Sequence, residues 1–160
     1  MKSEKGVPPV AKTWIALVLL LAPLVTVAAA DQMEIIATMQ TAERITYREG
    51  AFAVLVASGT LPRTAAADAA LNPGLRSQLG WGSRSVDSPL TVADFSYLVV
   101  EAFDIPAGLM YRLVPSPRYA VRELRFRRIL LDRVDATDDI AGVQALRMIG
   151  NAIEWTEGRS

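Results

Sequence analysis

The residues of this chain that are best placed for chemistry are two threonines, each followed three positions later by a carboxylate. Thr46 precedes Glu49, Thr91 precedes Asp94, and an apolar run follows each pair. This spacing is typical of a capping box, in which the threonine oxygen accepts a hydrogen bond from the amide of the acid and the carboxylate reaches back to the threonine amide. The two pairs therefore predict two helix starts.

The same acids, together with Glu101, are the candidates for a carboxylate-based reaction. Such an enzyme would be a hydrolase of wall polymers that uses the carboxylates as general acid and general base. The chain contains no histidine and no cysteine, which excludes the usual partner of a serine nucleophile, thiolate chemistry and disulfides. Because capping already explains Glu49 and Asp94, we predict no catalytic residue and no enzyme. The hydrolase stays an alternative.

A cluster of arginines lies between residues 118 and 133, and three of them share one spacing. Arg118, Arg122 and Arg125 stand at offsets of four and three, which places them on one face of a helix. Guanidinium groups suit carboxylates and phosphates, so this face could bind a wall polymer, a lipid head group or an acidic protein. The favoured interpretation is a solvated face balanced by Glu123 and nearby aspartates.

The loop GWGSRS places an aromatic ring beside a cation, Trp81 and Arg84. An exposed pair of this kind suits stacking on a sugar or contact with a protein. The alternative, which we favour, is a tryptophan that folds back onto the core.

The acidic segment 132–139 resembles a calcium loop in composition but not in spacing. Counted from its first aspartate, position 3 is Val134 and position 6 is Thr137, where an EF-hand loop has an acid and a glycine. We therefore predict no metal site and no cofactor. Asp138 or Asp139 is expected to cap the last helix instead.

Apolar residues that recur every three or four positions predict helices, and no segment shows the sustained alternation of a strand. Prolines interrupt a connector over residues 106–117. The helix over 118–131 has apolar residues on two sides, among them Phe126 and Leu131, and is expected to be buried along both. The predicted fold class is therefore all-α, a small helical bundle. Its helices are expected over residues 31–58 (with a second apolar run from Thr46), 91–103, 118–131 and 141–155.

The amino-terminal segment 1–30 has the pattern of an export signal. Its three lysines lie within the first twelve residues, residues 13–30 carry no charge, and the run ends in alanines. This pattern is typical of a secretory signal peptide, cleaved after Ala29 or Ala30. An uncleaved anchor is the alternative, because about eighteen apolar residues can just span a bilayer. In both cases residues 31–160 are expected to form one helical domain outside the cytoplasm.

Three helix starts resemble one another, which predicts degenerate helix-loop-helix repeats. Ile45, Leu90 and Ile140 each open a start, at offsets of 45 and 50 residues. An acid or amide follows four positions after each of them, and an apolar run comes next. Good caps alone would produce this pattern twice, and the third start lacks the threonine. A turn before the second start and a helix before the third favour a true repeat.

These motifs resemble the S-layer homology family. The segment PLTVADF at 89–95 is similar to the start of that family's second helix, RYAVRELRFRRIL at 118–130 to its first helix, and ITYRE at 45–49 is a looser match. The resemblance covers about residues 45–155. It implies a helical repeat module that binds an anionic wall polysaccharide. In the family an arginine directly after the threonine helps to bind the polymer, whereas in this chain the nearest arginine is Arg48, one residue late.

We therefore predict an exported, non-enzymatic protein of the cell envelope, periplasmic or at the cell surface, that works as a binding module. After residue 30 the chain carries fourteen arginines against sixteen acids, so its bulk charge does not favour nucleic acid. The expected partner is an envelope polymer or another envelope protein, and only an uncleaved amino-terminal segment would enter a membrane. The alternative is a structural or assembly subunit of a periplasmic or outer-membrane complex that binds no glycan. The predicted ligand-binding residues are Thr46, Arg48, Glu49, Trp81, Arg84, Thr91 and Asp94, and the predicted partner surface is Arg118, Arg122 and Arg125.

Overall fold

The computed structural model describes residues 33–71, 76–77, 81 and 84–158 of the chain. The predicted signal segment 1–30 lies outside these residues. The described part is built from helices, and its backbone forms no β-strand there, only two isolated bridges. The predicted all-α bundle is therefore confirmed. Within the same part of the chain, no helix is both long enough and apolar enough to cross a membrane.

The main helices are numbered here in chain order. They are α1 (residues 33–41), α2 (Tyr47–Ala57), α3 (Val92–Ala102), α4 (Leu109–Leu113), α5 (Pro117–Phe126) and α6 (Gly142–Glu157), with a 3-10 turn at Ala67–Leu71 between α2 and α3. Helix α3 packs mainly on α5, and α2 packs on the 3-10 turn and on α3. The buried apolar side chains of these elements form one continuous core.

The start of α2 is the capping box that its sequence predicts. The Thr46 hydroxyl accepts from the Glu49 amide at 3.3 Å, and the Glu49 carboxylate accepts from the Thr46 amide at 2.8 Å. Two amides that the first turn of a helix would otherwise leave without partners are satisfied in this way.

The other two helix starts are capped differently. Thr91 accepts from the Asp94 amide at 3.1 Å, as predicted. Helix α6 begins after Ala141 and has no side-chain cap. The prediction that Asp138 or Asp139 caps this helix is therefore wrong. The carboxylate of Asp138 accepts instead from an amide of its own loop, three residues earlier, at 3.0 Å.

The three helix starts meet at one point of the core in a closed ring of backbone hydrogen bonds. Ile45 donates to the carbonyl of Ile140 at 3.0 Å, Ile140 donates to that of Leu90 at 2.9 Å, and Leu90 donates to that of Ile45 at 2.8 Å. All three residues are fully buried. The starts that resemble one another in sequence are thus equivalent in space, related by an approximate threefold arrangement.

Each of the three starts also rests on the segment that precedes the next one. The amide of Tyr47 donates to Ser88, and that of Val92 donates to Asp138, at 3.2 and 2.9 Å. The amide of Gly142 closes the cycle by donating to Ala42 at 3.0 Å. First-turn amides of α2, α3 and α6 therefore find acceptors outside their own helices, which buried helix starts require.

Gly142 is required by this arrangement, because the backbone at the end of α1 approaches it closely. A Cβ atom at this position would lie 1.8 Å from the carbonyl oxygen of Met39. The obstacle is main chain, which cannot swing aside as a side chain can. The third start therefore has a glycine where the first has Tyr47 and the second has Val92.

Helix α5 ends five residues earlier than the apolar pattern predicts. The backbone turns left-handed at Arg128, with φ of 61°, and the next amide, that of Ile129, reaches back to the carbonyl of Leu124 at 2.9 Å. This is a Schellman-type end, which usually carries glycine. The predicted burial along both flanks is also wrong, because Phe126 is 82% exposed and Leu131 is 61% exposed.

Two further boundaries differ from the sequence prediction. The helix predicted over residues 31–58 is interrupted at 42–46, where the chain turns to bring Ile45 into the ring. The connector predicted over 106–117 contains the short helix α4. The break at 42–46 contains no glycine or proline that would indicate it, whereas α4 begins directly after Gly108 and its C-cap directly precedes Pro115.

Candidate functional site

The candidate site is a groove of about 800 Å³ between the start of α3, one face of α5 and the loop over residues 134–137. We call it the arginine groove. Residues that the sequence analysis placed in two separate sites meet here. The groove is lined by Arg84, Thr91 and Asp94 of the predicted ligand site and by Arg118, Arg122 and Arg125 of the predicted partner surface.

Helix α5 positions three of the four arginines. Its opposite side is held in the core by Ala120 and Leu124, which are fully buried against α3. The offsets of four and three residues then turn Arg118, Arg122 and Arg125 together toward the groove, as the helical period requires.

Two of these arginines have no partner among the residues that surround them in the described part of the chain. Arg118 and Arg122 are exposed, and their guanidinium groups form no hydrogen bond or ion pair with any residue that the structure describes. Glu123, the acid expected to balance them, is paired with Arg127 at 2.7 Å and accepts from the amide of Gly108 at 3.0 Å. The two cations are therefore available to an anion in the groove.

The fourth arginine is fixed by a buried carboxylate at the inner end of the groove. One oxygen of Asp94 accepts from Arg84 Nη1 at 2.6 Å, from the Tyr47 hydroxyl at 2.6 Å and from the Thr91 hydroxyl at 2.8 Å. Arg84 also contacts the Tyr47 hydroxyl. The Arg84 side chain is still about half exposed, so one side of its guanidinium faces the groove while the other is held in place.

Tyr47 is a member of this network that the sequence analysis did not identify. Its side chain is buried, and burial raises the pKa of its hydroxyl to about 12, with the hydrogen bond to Asp94 acting in the same direction. The bonds to Tyr47 and Asp94 raise the pKa of Arg84. A signal was present in the sequence, because a tyrosine buried beside a helix cap needs a partner for its hydroxyl.

Asp135 is the other acid of the groove lining, opposite the three arginines of α5. Its carboxylate accepts from the amide and hydroxyl of Thr137 at 3.0 and 2.9 Å. These bonds, and to a smaller degree the charge of Arg125, lower the pKa of Asp135. Arg125 itself donates to the carbonyl of Val134. Four arginines against two aspartates leave the groove with a net positive charge.

The first helix start lies outside the groove. Thr46 and Glu49 are occupied with the capping box of α2. Arg48 donates from Nε to Asp87 at 3.2 Å and contacts Asp68 in the 3-10 turn. Its charge is therefore balanced by two carboxylates, and its structural effect is to join α2 to the segments that follow it.

Trp81 is a core residue. Its side chain is 3% exposed and its ring packs edge-on against Tyr47, with 5.0 Å between the ring centroids and an angle of 76° between the planes. Of the two interpretations drawn from the sequence, packing onto the core is confirmed. The ring supports Tyr47 from behind and presents no face on which a sugar could stack.

The three carboxylates considered for a hydrolase are not brought together. Asp94 lines the arginine groove, Glu49 caps α2, and Glu101 accepts from the Tyr111 hydroxyl at 2.6 Å in a separate cavity. Each of them has a local hydrogen-bonding role.

Chemically, the groove offers fixed and free guanidinium groups around an apolar floor that includes Ala93 and Val121. Such an array binds carboxylates or phosphates through paired N–H donors. Among the residues that the structure describes, no three acidic side chains come together in a way that would hold a metal ion. In comparisons with known proteins, the chain matches no family model, no curated protein and no solved structure.

Proposed function

We propose that this chain is an exported binding module of the cell envelope that holds an anionic envelope polymer in the arginine groove. The observation that carries the proposal is the pair Arg118 and Arg122, two exposed guanidinium groups without a partner in the described part of the chain, beside a third that Asp94 fixes in place. A polymer with carboxylate or phosphate groups at regular intervals would engage several of them at once. Export rests on the uncharged run at residues 13–30 and its basic flank.

The geometry supports a polymer better than a small anion. The groove is open, and α5 lines it over about two turns, from Arg118 to Arg125. Arginines at offsets of four and three are about 5–6 Å apart along a helix face, so one extended ligand can bridge them. The resemblance to S-layer homology repeats points to the same class of ligand, although here the arginines come from α5 and from the segment over residues 84–90, which we call the 84 loop.

The experiment is a sedimentation assay of the full chain in mild detergent with cell-wall sacculi, with and without their attached anionic polymers. We expect binding only where the polymers are present. The double variant Arg118→Gln/Arg122→Gln should bind on the order of a hundredfold more weakly, because each charged hydrogen bond contributes about 1.5–3 kcal/mol. Binding should also weaken as salt is added.

Arg44→Gln is the matched control. It removes one exposed cation, whereas the double variant removes two, and Arg44 lies outside the groove in a surface pair with Asp139 at 3.8 Å. It should bind like the natural chain, and all variants should unfold at similar temperatures. If the double variant binds as well as the control, the groove is not the polymer site. If the natural chain does not sediment with sacculi of either kind, the proposal fails and a protein partner becomes the better candidate.

A further inference from the structure

A second surface, outside the arginine groove, exposes a set of large apolar side chains. We call it the apolar ridge, formed by Leu109, Met110, Leu113, Val114 and Phe126, each of which is between 59% and 82% exposed. The side chains of the first two and of Phe126 line one shallow cavity. The other two follow one turn later along α4. Such a contiguous apolar patch marks an interaction surface.

Helix α4 is held in place so that it faces outward. Only Tyr111 of its five residues is buried, at 7% exposure, and its hydroxyl donates to Glu101 at 2.6 Å. This single tyrosine anchors the helix, and the remaining apolar side chains contribute little to the core. A five-residue helix of this kind is weak on its own, so its apolar side chains are not explained by folding.

The charges on the α5 side of the ridge are mainly cationic. Arg122 lines both the shallow cavity and the arginine groove. The one acid of the shallow cavity, Glu123, is neutralised by Arg127 at 2.7 Å. Arg112 lies on α4 itself, where it also borders a separate cavity that contains Glu101 and Asp104. Protruding leucine, methionine and phenylalanine side chains with arginines beside them are the composition that inserts into the headgroup region of an anionic bilayer.

We propose that the apolar ridge docks on the surface of a membrane that contains anionic phospholipid. The ridge comprises only five side chains, whereas a stable interface between two protein copies involves about 20–30 residues on each side. The uncharged run at residues 13–30 would keep the domain close to a bilayer if it is retained. The inference does not depend on the proposed polymer binding, since four of the five ridge residues belong to α4 and its C-cap rather than to the groove.

The chain has no cysteine, so one introduced cysteine can carry an environment-sensitive fluorophore. We would label Leu113→Cys in the full chain and reconstitute it into vesicles of phosphatidylcholine with or without phosphatidylglycerol. The matched control is Val143→Cys, also an exposed apolar residue (51%) but on α6. The emission at position 113 should shift to the blue and gain intensity in vesicles with phosphatidylglycerol, and the emission at 143 should not.

Adding Arg112→Gln to the labelled chain should weaken the response to phosphatidylglycerol by about fivefold, because this is the contribution of one basic residue at an anionic surface. The substitution leaves the arginine groove intact. Circular dichroism confirms that each labelled chain keeps its helices. An unchanged emission at 113 overturns the proposal, as does an equal shift at 143. A shift that grows with protein concentration in detergent alone also overturns it and assigns the ridge to a second copy or another protein.

Discussion

A single carboxylate oxygen of Asp94 ties three parts of the chain together. Its three donors come from the start of α2, from the 84 loop and from the start of α3. Asp94 is buried and its partner Arg84 is half exposed, so the network has one end in the protein interior and the other at the surface. It therefore both stabilises the fold and orients one cation of the arginine groove.

Tyr47→Phe tests the contribution of this network to stability. The substitution removes the hydroxyl that donates to Asp94 at 2.6 Å but keeps the ring that packs on Trp81. We expect the free energy of unfolding to fall by about 1 kcal/mol, since Asp94 keeps its other donors. Tyr119→Phe is the control, because that hydroxyl forms no hydrogen bond within the described residues. Urea denaturation of both variants measures the difference, and equal stability would show that the hydroxyl contributes nothing.

The raised pKa of Tyr47 predicts a loss of stability in strong base. The pKa rises from 10 in the unfolded chain to about 12 in the folded protein, so the folded state holds this proton more tightly. The resulting stabilisation is fully present below pH 10 and is lost as the pH rises to 12. Melting temperatures across this range should fall less steeply for Tyr47→Phe than for the natural chain. If the melting temperatures of the two chains fall in parallel between pH 10 and 12, the raised pKa of Tyr47 makes no contribution to stability.

At the residue scale, sequence reasoning identified contacts that are local and missed those that are not. The capping box needs only a spacing of three residues, and Thr46 and Glu49 form it. The bond between Tyr47 and Asp94 spans 47 residues, and no local pattern specifies it. Arg48 was a reasonable ligand candidate until the fold placed Asp68 and Asp87 beside it.

At the scale of elements, helix starts were easier to predict than helix ends. The start of α3 at Thr91 follows from its cap, and its C-cap at Phe103 agrees with the helix end that Asp104 and Pro106 predict. The end of α5 was not, because the left-handed residue there is Arg128 and not a glycine. Because the predicted helix is too long, Phe126 is expected on a buried face. In the structure this side chain is exposed and belongs to the apolar ridge.

Gly142→Ala is the sharpest test of how the elements pack. The added methyl group would meet the main chain of Met39 at 1.8 Å, so α1 and α6 must separate or the third start must distort. We expect a loss of about 2 kcal/mol or more in the free energy of unfolding, in the range of overpacked cores. Thermal and urea unfolding measure it.

Gly150→Ala is the matched control for this substitution. It lies in the same helix with open space around its Cβ position, and alanine there should stabilise the protein by up to about 1 kcal/mol. If Gly142→Ala behaves like this control, the close approach of α1 to α6 is not as the structure has it.

At the scale of the whole molecule, the hydrogen-bonded ring explains why the three starts resemble one another. Each must present a buried aliphatic residue whose backbone donates to one neighbour and accepts from the other. The repeat was predictable from Ile45, Leu90 and Ile140 because this requirement fixes the residue type. Their pairing was not predictable, since it joins residues 45, 50 and 95 positions apart. The groove likewise emerges only when the fold brings the 84 loop to α5.

The ring predicts energetic coupling between distant parts of the sequence. Ile45→Val and Ile140→Val are mild substitutions, each expected to cost about 0.5–1.5 kcal/mol. Because Ile45 donates directly to the Ile140 carbonyl and both side chains are fully buried, the double variant should depart from additivity by at least about 0.5 kcal/mol.

Ile129→Val combined with Ile45→Val is the control cycle. Ile129 is equally buried, at 1% exposure, but lies after α5 and outside the ring, so its effect should add to that of Ile45 within about 0.5 kcal/mol. Chemical denaturation of the single and double variants gives both cycles. Coupling in the first cycle and not in the second would mean that the three helix starts are stabilised as one unit. Additivity in both would mean that each start is held by its own helix, and that the ring is a consequence of the packing and not one of its causes.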